Sequence, residues 1–114
     1  MGFRRVLEEL EARLEPMVGA ENGGTGRGKL EFKRYGDGRL RMKIKCRELD
    51  LPDGAKLELR SGETLVARLE ARKGRATLDE ERDASEGAPP LAAGDLVTLC
   101  YQGVPLLGGR LYID

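Results

Sequence analysis

At 114 residues the chain has material for one modest core and not for two. Its 20 Lys and Arg equal its 20 Asp and Glu, so the formal charge is zero, which counts against a dedicated nucleic-acid binder, a class that usually carries a basic excess. Histidine and tryptophan are absent and aromatics make up 4%, which removes the commonest general base, the commonest metal ligand and the material for stacking platforms.

Phe3, Val6, Leu7, Leu10 and Leu14 recur at three- and four-residue spacing. At 100° per residue they form a stripe roughly 120° wide, which predicts an amphipathic helix over residues 1–18. Arg4 and Glu8, Arg5 and Glu9, and Glu9 and Arg13 pair opposite charges at i,i+4, and Pro16 ends the run. A helix of about thirteen residues is marginal alone in water, so its apolar stripe needs a cover. The cover is the chain's own sheet, a second copy or partner, or a membrane surface, the last disfavoured by a polar face as acidic as it is basic.

Residues 19–28 form a glycine-rich linker by composition. Gly23 to Leu30 matches the phosphate-binding loop up to its last position, where Leu30 replaces the Ser or Thr that holds magnesium. The context is also reversed, with a helix pattern before the glycines and a strand pattern after them. Nucleotide binding is therefore not expected, and no cofactor is implied.

From Lys29 onward the chain reads as short strands. Leu30 and Phe32 alternate with Lys29, Glu31 and Lys33, and Tyr35-Gly36-Asp37-Gly38 predicts a tight hairpin. The next stretch is the plainest in the sequence. Leu40, Met42, Ile44 and Cys46 alternate with Arg39, Arg41, Lys43, Lys45 and Arg47, the pattern of a half-buried strand with one cationic face. Leu57 and Leu59, then Leu65, Ala67, Leu69 and Ala71, then Ala76 and Leu78 continue the alternation. Asp79 to Ala88 is acidic, without a strand's apolar alternation, and predicts a long surface loop. Leu96 to Tyr101 is apolar on both parities apart from Thr98, which suits a strand buried on both faces, and Leu111 to Ile113 closes the chain. About seven short strands predict an all-β antiparallel β-sandwich over 29–114, preceded by one N-terminal amphipathic helix.

Leu51-Pro52-Asp53-Gly54, Gly74-Arg75-Ala76, Ala93-Gly94-Asp95 and Gly109-Arg110-Leu111 together resemble the spacing of uncharacterised bacterial β-sandwich modules distantly similar to CHRD-type domains. The resemblance spans about two-thirds of the chain and rests on turn residues. It implies an all-β fold, and the histidine-containing segment of the CHRD pattern has no counterpart here, so it carries over no site.

Cys46 and Cys100 lie far apart and belong to no paired motif. They read as buried thiols acting as small hydrophobes, or as a bridge between strands in an oxidising compartment. Two cysteines without histidine make half a zinc site at best, and the acidic run from Asp79 to Asp83 lacks the alternation and glycine of a calcium loop. No metal site and no catalytic residue is predicted. The opening residues lack the apolar core of a signal peptide and no segment approaches a membrane span, so the chain reads as cytoplasmic, though a secreted protein trimmed of its leader would read the same.

The functional expectation is a non-enzymatic interaction or structural module. It self-associates, with a dimer favoured, through Phe3, Val6, Leu7, Leu10 and Leu14. The alternative is a module that binds an anionic ligand or polymer on the row Arg39, Arg41, Lys43, Lys45 and Arg47. Against that alternative stands a solvated face whose cations are paired by Glu31, Glu58, Glu70 and Asp79 on neighbouring strands.

Overall fold

Each apolar-polar alternation closes against a neighbour that alternates in the same way. The computed structural model describes residues 5–17, 26–83 and 91–114. Its strands are β1 (Val6–Pro16), β2 (Arg27–Tyr35), β3 (Arg39–Arg47), β4 (Lys56–Ser61), β5 (Thr64–Glu70), β6 (Ala76–Asp83), β7 (Leu96–Tyr101), β8 (Val104–Arg110) and β9 (Tyr112–Ile113). They hydrogen-bond in the order β5-β4-β7-β8-β1-β2-β3-β6, with β9 also on β1. All pairs are antiparallel, and the result is one nearly closed, barrel-like sheet rather than the predicted sandwich.

The joint of this sheet is β1. Its first part pairs with β2 from Val6↔Tyr35 to Leu14↔Gly28, and its end turns to β8 through Glu15↔Gly108 and Pro16↔Leu107. Beyond β8, Leu111 is diverted to the Gly94-Asp95 turn, and β9 then returns to β1 at Glu11↔Tyr112 and Leu10↔Ile113. The two backbones touch where the ladder is interrupted. A Cβ on Gly109 would sit 2.0 Å from the carbonyl oxygen of Arg13, so only glycine fits there.

The predicted N-terminal helix is overturned, since no helix occurs among the described residues. Leu10, Ala12 and Leu14 are fully buried core residues of β1, whereas Val6 and Leu7 are 45% and 60% exposed. A helical stripe would have grouped Val6 and Leu7 with Leu10 and Leu14, so the burial follows the period of two. Pairing along β2 and across to β8 and β9 supplies backbone hydrogen bonds and a core that an isolated helix lacks. Tertiary context thereby overrides a weak local preference. Phe3 and residues 18–25 lie outside the described residues, and Arg27 and Gly28, expected in the linker, already belong to β2.

The core fills the interior with Leu30, Phe32, Ile44, Leu57, Leu59, Val97, Leu99 and Leu107, all at most 1% exposed. Toward one end β6 replaces apolar residues with charged ones on its inner side. Glu80 and Arg82, paired with each other, lie over Phe32, Leu40 and Met42. Asp79 to Asp83 is thus strand and not the predicted loop, and residues 84–88 of that prediction lie outside the described residues. Five consecutive charges on a terminal strand of the sheet also discourage pairing with another chain.

Candidate functional site

The outer face of β3 is held in place from below. Leu40, Met42, Ile44 and Cys46 are all buried, so the alternating pleat points Arg39, Arg41, Lys43, Lys45 and Arg47 outward. The hairpin to β2 turns at Asp37-Gly38. Gly38 has φ 85°, its N–H donates to the Tyr35 carbonyl (3.1 Å), and the Asp37 carboxylate accepts from the Arg39 N–H (3.0 Å). That turn sets Lys33↔Arg41, Glu31↔Lys43, Lys29↔Lys45 and Arg27↔Arg47. On the other side β6 sets Arg39↔Asp83, Arg41↔Glu81, Lys43↔Asp79 and Lys45↔Thr77.

The face divides into two halves of different electrostatic character. In the first half the cations are matched. Arg39 Nε donates to Glu81 (2.8 Å), Arg41 donates twice to Asp79 (3.1 and 3.0 Å), and Lys33 meets Glu9 (3.5 Å). The Arg41 hydrogen bonds hold the Asp79 carboxyl below its usual range, and the fields of Lys43 and Lys45 add to the effect. Between the halves Glu11, the one buried charged side chain among the described residues, accepts from Lys29 (2.7 Å) and from the Tyr112 hydroxyl. Hydrogen bonds from Lys29 and then Tyr112 lower its pKa against the opposing cost of burial, while the pKa of Lys29, also 3.2 Å from Glu31, is raised.

In the second half the matching stops. Among the described residues no carboxylate lies within ion-pair distance of Lys43, Lys45, Arg47 or Arg75, and Arg27 meets only Glu48 at 3.4 Å. Like charges face each other across the ladder at Arg27↔Arg47 and Lys29↔Lys45. Together Arg27, Lys29, Lys45, Arg47, Arg75 and Thr77 line a shallow groove of about 530 Å³. Its floor is closed by Gly28 and Cys46. A Cβ on Gly28 would come within 2.7 Å of the buried Cys46 sulfur, so glycine is needed there on the core side of the sheet.

The predicted cationic row is therefore one row in geometry and two in chemistry. Arg39 and Arg41 are engaged, and Lys43, Lys45 and Arg47 are not. Of the acids expected to neutralise it, Asp79 does so and Glu31 is drawn to Lys29, while Glu58 and Glu70 serve Arg60, Lys56 and Arg72 elsewhere. Sequence reasoning missed Arg27, Lys29, Arg75 and Thr77. Folding the chain back at Asp37 places Lys29 beside Lys45 and Arg27 beside Arg47, so that signal was present. Nothing local places Arg75 and Thr77 there. The other predicted set is not brought together. Leu10 and Leu14 are in the core, Val6 and Leu7 are at the surface, and Phe3 is outside the described residues.

A second depression of similar size, about 540 Å³, runs from Gly54 to Gly103, but its Lys56 and Glu58 are taken up by Glu70 (3.3 Å) and Arg60 (3.0 Å). Both cysteines are buried and free, and burial pushes the Cys46 thiol up to about 11. Among the described residues no group of three or more Cys, Asp or Glu converges as a metal site would require, and no helix is long and apolar enough to cross a membrane. No protein-family model and no curated protein matches this chain.

Proposed function

We propose that the protein is a non-enzymatic binding module that holds an anionic partner on the unmatched half of its cationic face. The observation that carries this reading is the cluster of Lys43, Lys45, Arg47 and Arg75 without a carboxylate within ion-pair distance among the described residues, the two acids that face Lys43 being bonded to Lys29 and Arg41. Like charges directly opposite on adjacent strands are destabilising, and a solvated face is ordinarily finished with opposite charges, as the other half of this one is. An anion in the groove relieves that repulsion. The lack of histidine in the sequence favours binding over acid-base chemistry. Self-association through a pairing N-terminal helix has no such support, because Leu10 and Leu14 are already spent on the core.

The test uses a labelled heparin oligosaccharide and labelled poly-glutamate at low salt, followed by fluorescence anisotropy. Lys45→Glu with Arg47→Glu should weaken at least one of them by about tenfold or more, and rising salt should weaken it further. Lys56→Glu with Arg72→Glu removes the same charge on another part of the surface and should have a far smaller effect. Equal losses in both double variants would mean diffuse attraction to net charge, and the groove would not be the site. Binding of neither probe would overturn the reading altogether.

A further inference from the structure

Resting on that reading, we infer that the anion is an acidic segment of a partner polypeptide, lying extended along β3 with a carboxylate at every second residue. The structure contains its own example of this recognition. On β6 the carboxylates stand at alternate positions, Asp79, Glu81 and Asp83, and two of them satisfy Arg41 and Arg39. Alternate side chains of any extended strand repeat at about 7 Å, so an acidic strand and a basic strand match charge for charge. The match is also slipped. Arg39 reaches Glu81 and Arg41 reaches Asp79, each one step diagonal to the residue directly opposite. That slip uses up Asp79, which is the residue facing Lys43, and the next alternate residues are Thr77 of β6 and Arg75 just before the strand. The acidic ladder runs out where the cations go on.

Lys43 thus faces two acids that are bonded elsewhere, Glu31 to Lys29 and Asp79 to Arg41, and Lys45 and Arg47 continue the repeat with no acid opposite them among the described residues. They are flanked by Arg27 and Lys29 on β2 and by Arg75 and Thr77 on the side of β6, a bed three strands and about 10 Å wide. A single extended chain fits such a bed and is flanked on both sides. The groove offers a polynucleotide little beyond charge. Sequence-tolerant binding of single strands relies on aromatic side chains on which bases stack. The two tyrosines on this part of the sheet are committed elsewhere, Tyr35 buried beside Arg41 and Tyr112 bonded to Glu11, and neither lines the groove.

The spacing claim is tested with two labelled peptides of identical length and composition, one alternating Glu with Thr and one carrying its Glu residues in a block. Binding to the full chain is measured by anisotropy, beside a single-stranded oligonucleotide and a heparin oligosaccharide of equal charge. The alternating peptide should bind at least about tenfold tighter than the block peptide, and that advantage should vanish in Lys43→Ser with Lys45→Ser. Because both positions are at the surface of the sheet, circular dichroism should report an unchanged fold. Equal affinity for the two peptides would overturn the extended register while leaving an anion site in place. Tighter binding of the oligonucleotide or the oligosaccharide than of the alternating peptide would overturn the polypeptide assignment. If none of the four binds, the anion-binding reading falls with it.

Discussion

Arg41 holds Asp79 through two hydrogen bonds, 3.1 and 3.0 Å long, although the residue directly opposite it in the ladder is Glu81. The planar guanidinium reaches diagonally and grips both carboxylate oxygens, a geometry that an ammonium cannot reproduce. Asp79 is thereby the last acid of β6 before the unmatched cations, and its charge is felt by Lys43 and Lys45. Asp79→Asn should therefore strengthen binding of an acidic peptide by roughly three- to tenfold at low salt, with the gain shrinking as salt rises. Anisotropy titrations of the two proteins measure it, and a weaker Asn variant would show that Asp79 does not compete with the ligand.

The contact between Gly109 and the Arg13 carbonyl makes a prediction about stability. Gly109→Ala forces apart the two strands that carry the sheet from β8 to β1, because the obstacle is backbone and cannot rotate away. A cost of about 1–3 kcal/mol is expected, in the range of overpacked cores. Urea unfolding followed by circular dichroism gives the number, and a neutral substitution would mean that the strands part without loss.

Leu14 and Leu7, which a helical stripe would place on one face, have opposite surroundings. Leu14 is fully buried in β1 and Leu7 is 60% exposed. Leu14→Ala should cost about 2–5 kcal/mol by leaving a core cavity, whereas Leu7→Ser should stay within about 0.5 kcal/mol. Comparable effects at both sites would restore the case for an amphipathic element.

Glu11 contributes to the acid limb of the stability curve. Its folded pKa is lowered by Lys29 and then by Tyr112, so the stability it lends is fully present above the ordinary carboxylate range and is lost as pH falls through the lowered value. Asp79 has the same sign. Glu11→Gln should flatten the fall of the urea midpoint below about pH 4.5, and with it loosen β9, which Tyr112 ties down. An acid limb parallel to that of the unsubstituted protein would assign the loss to other carboxylates. Tyr112, raised by the same bond, gives stability that is complete below the usual tyrosine range and is lost as pH rises through its folded value.

Cys46 is predicted to be inert in the folded protein. Its thiol, pushed up to about 11 by burial, is overwhelmingly protonated at pH 8, and the thiolate is the reactive form. Iodoacetamide labelling read by mass spectrometry should leave Cys46 unmodified in native protein and modify it fully in urea. Rapid native labelling would mean that the Gly28 side of the groove opens.

The all-β character of the chain is written in short-range alternation. Leu40 to Cys46 against Arg39 to Arg47 satisfies one period, and Asp37-Gly38 permits the tight turn that sets the neighbouring register, so β2, β3 and their exposed cations follow from residues a few positions apart. Val6 to Pro16 is different because two periods coexist there. Leu10, Ala12 and Leu14 alternate, while Val6, Leu7, Leu10 and Leu14 recur helically, and only partners distant in sequence, Tyr112 and Leu107 among them, tip the balance toward a strand. Asp79 to Asp83 misleads for a related reason. Charges on both parities resemble a loop until β3 lies on one side and the open end of the barrel on the other.

By itself, then, the order of residues determined which side chains face inward along each strand and how many cations β3 displays. It could not determine which of those cations stay unmatched. That depends on β6 arriving beside β3 in a register that spends Asp79 and Glu81 on the two arginines, a pairing between segments about forty residues apart. Side-chain alternation is a property of the local backbone, whereas charge compensation is a property of neighbours, and neighbours are chosen only when the sheet closes.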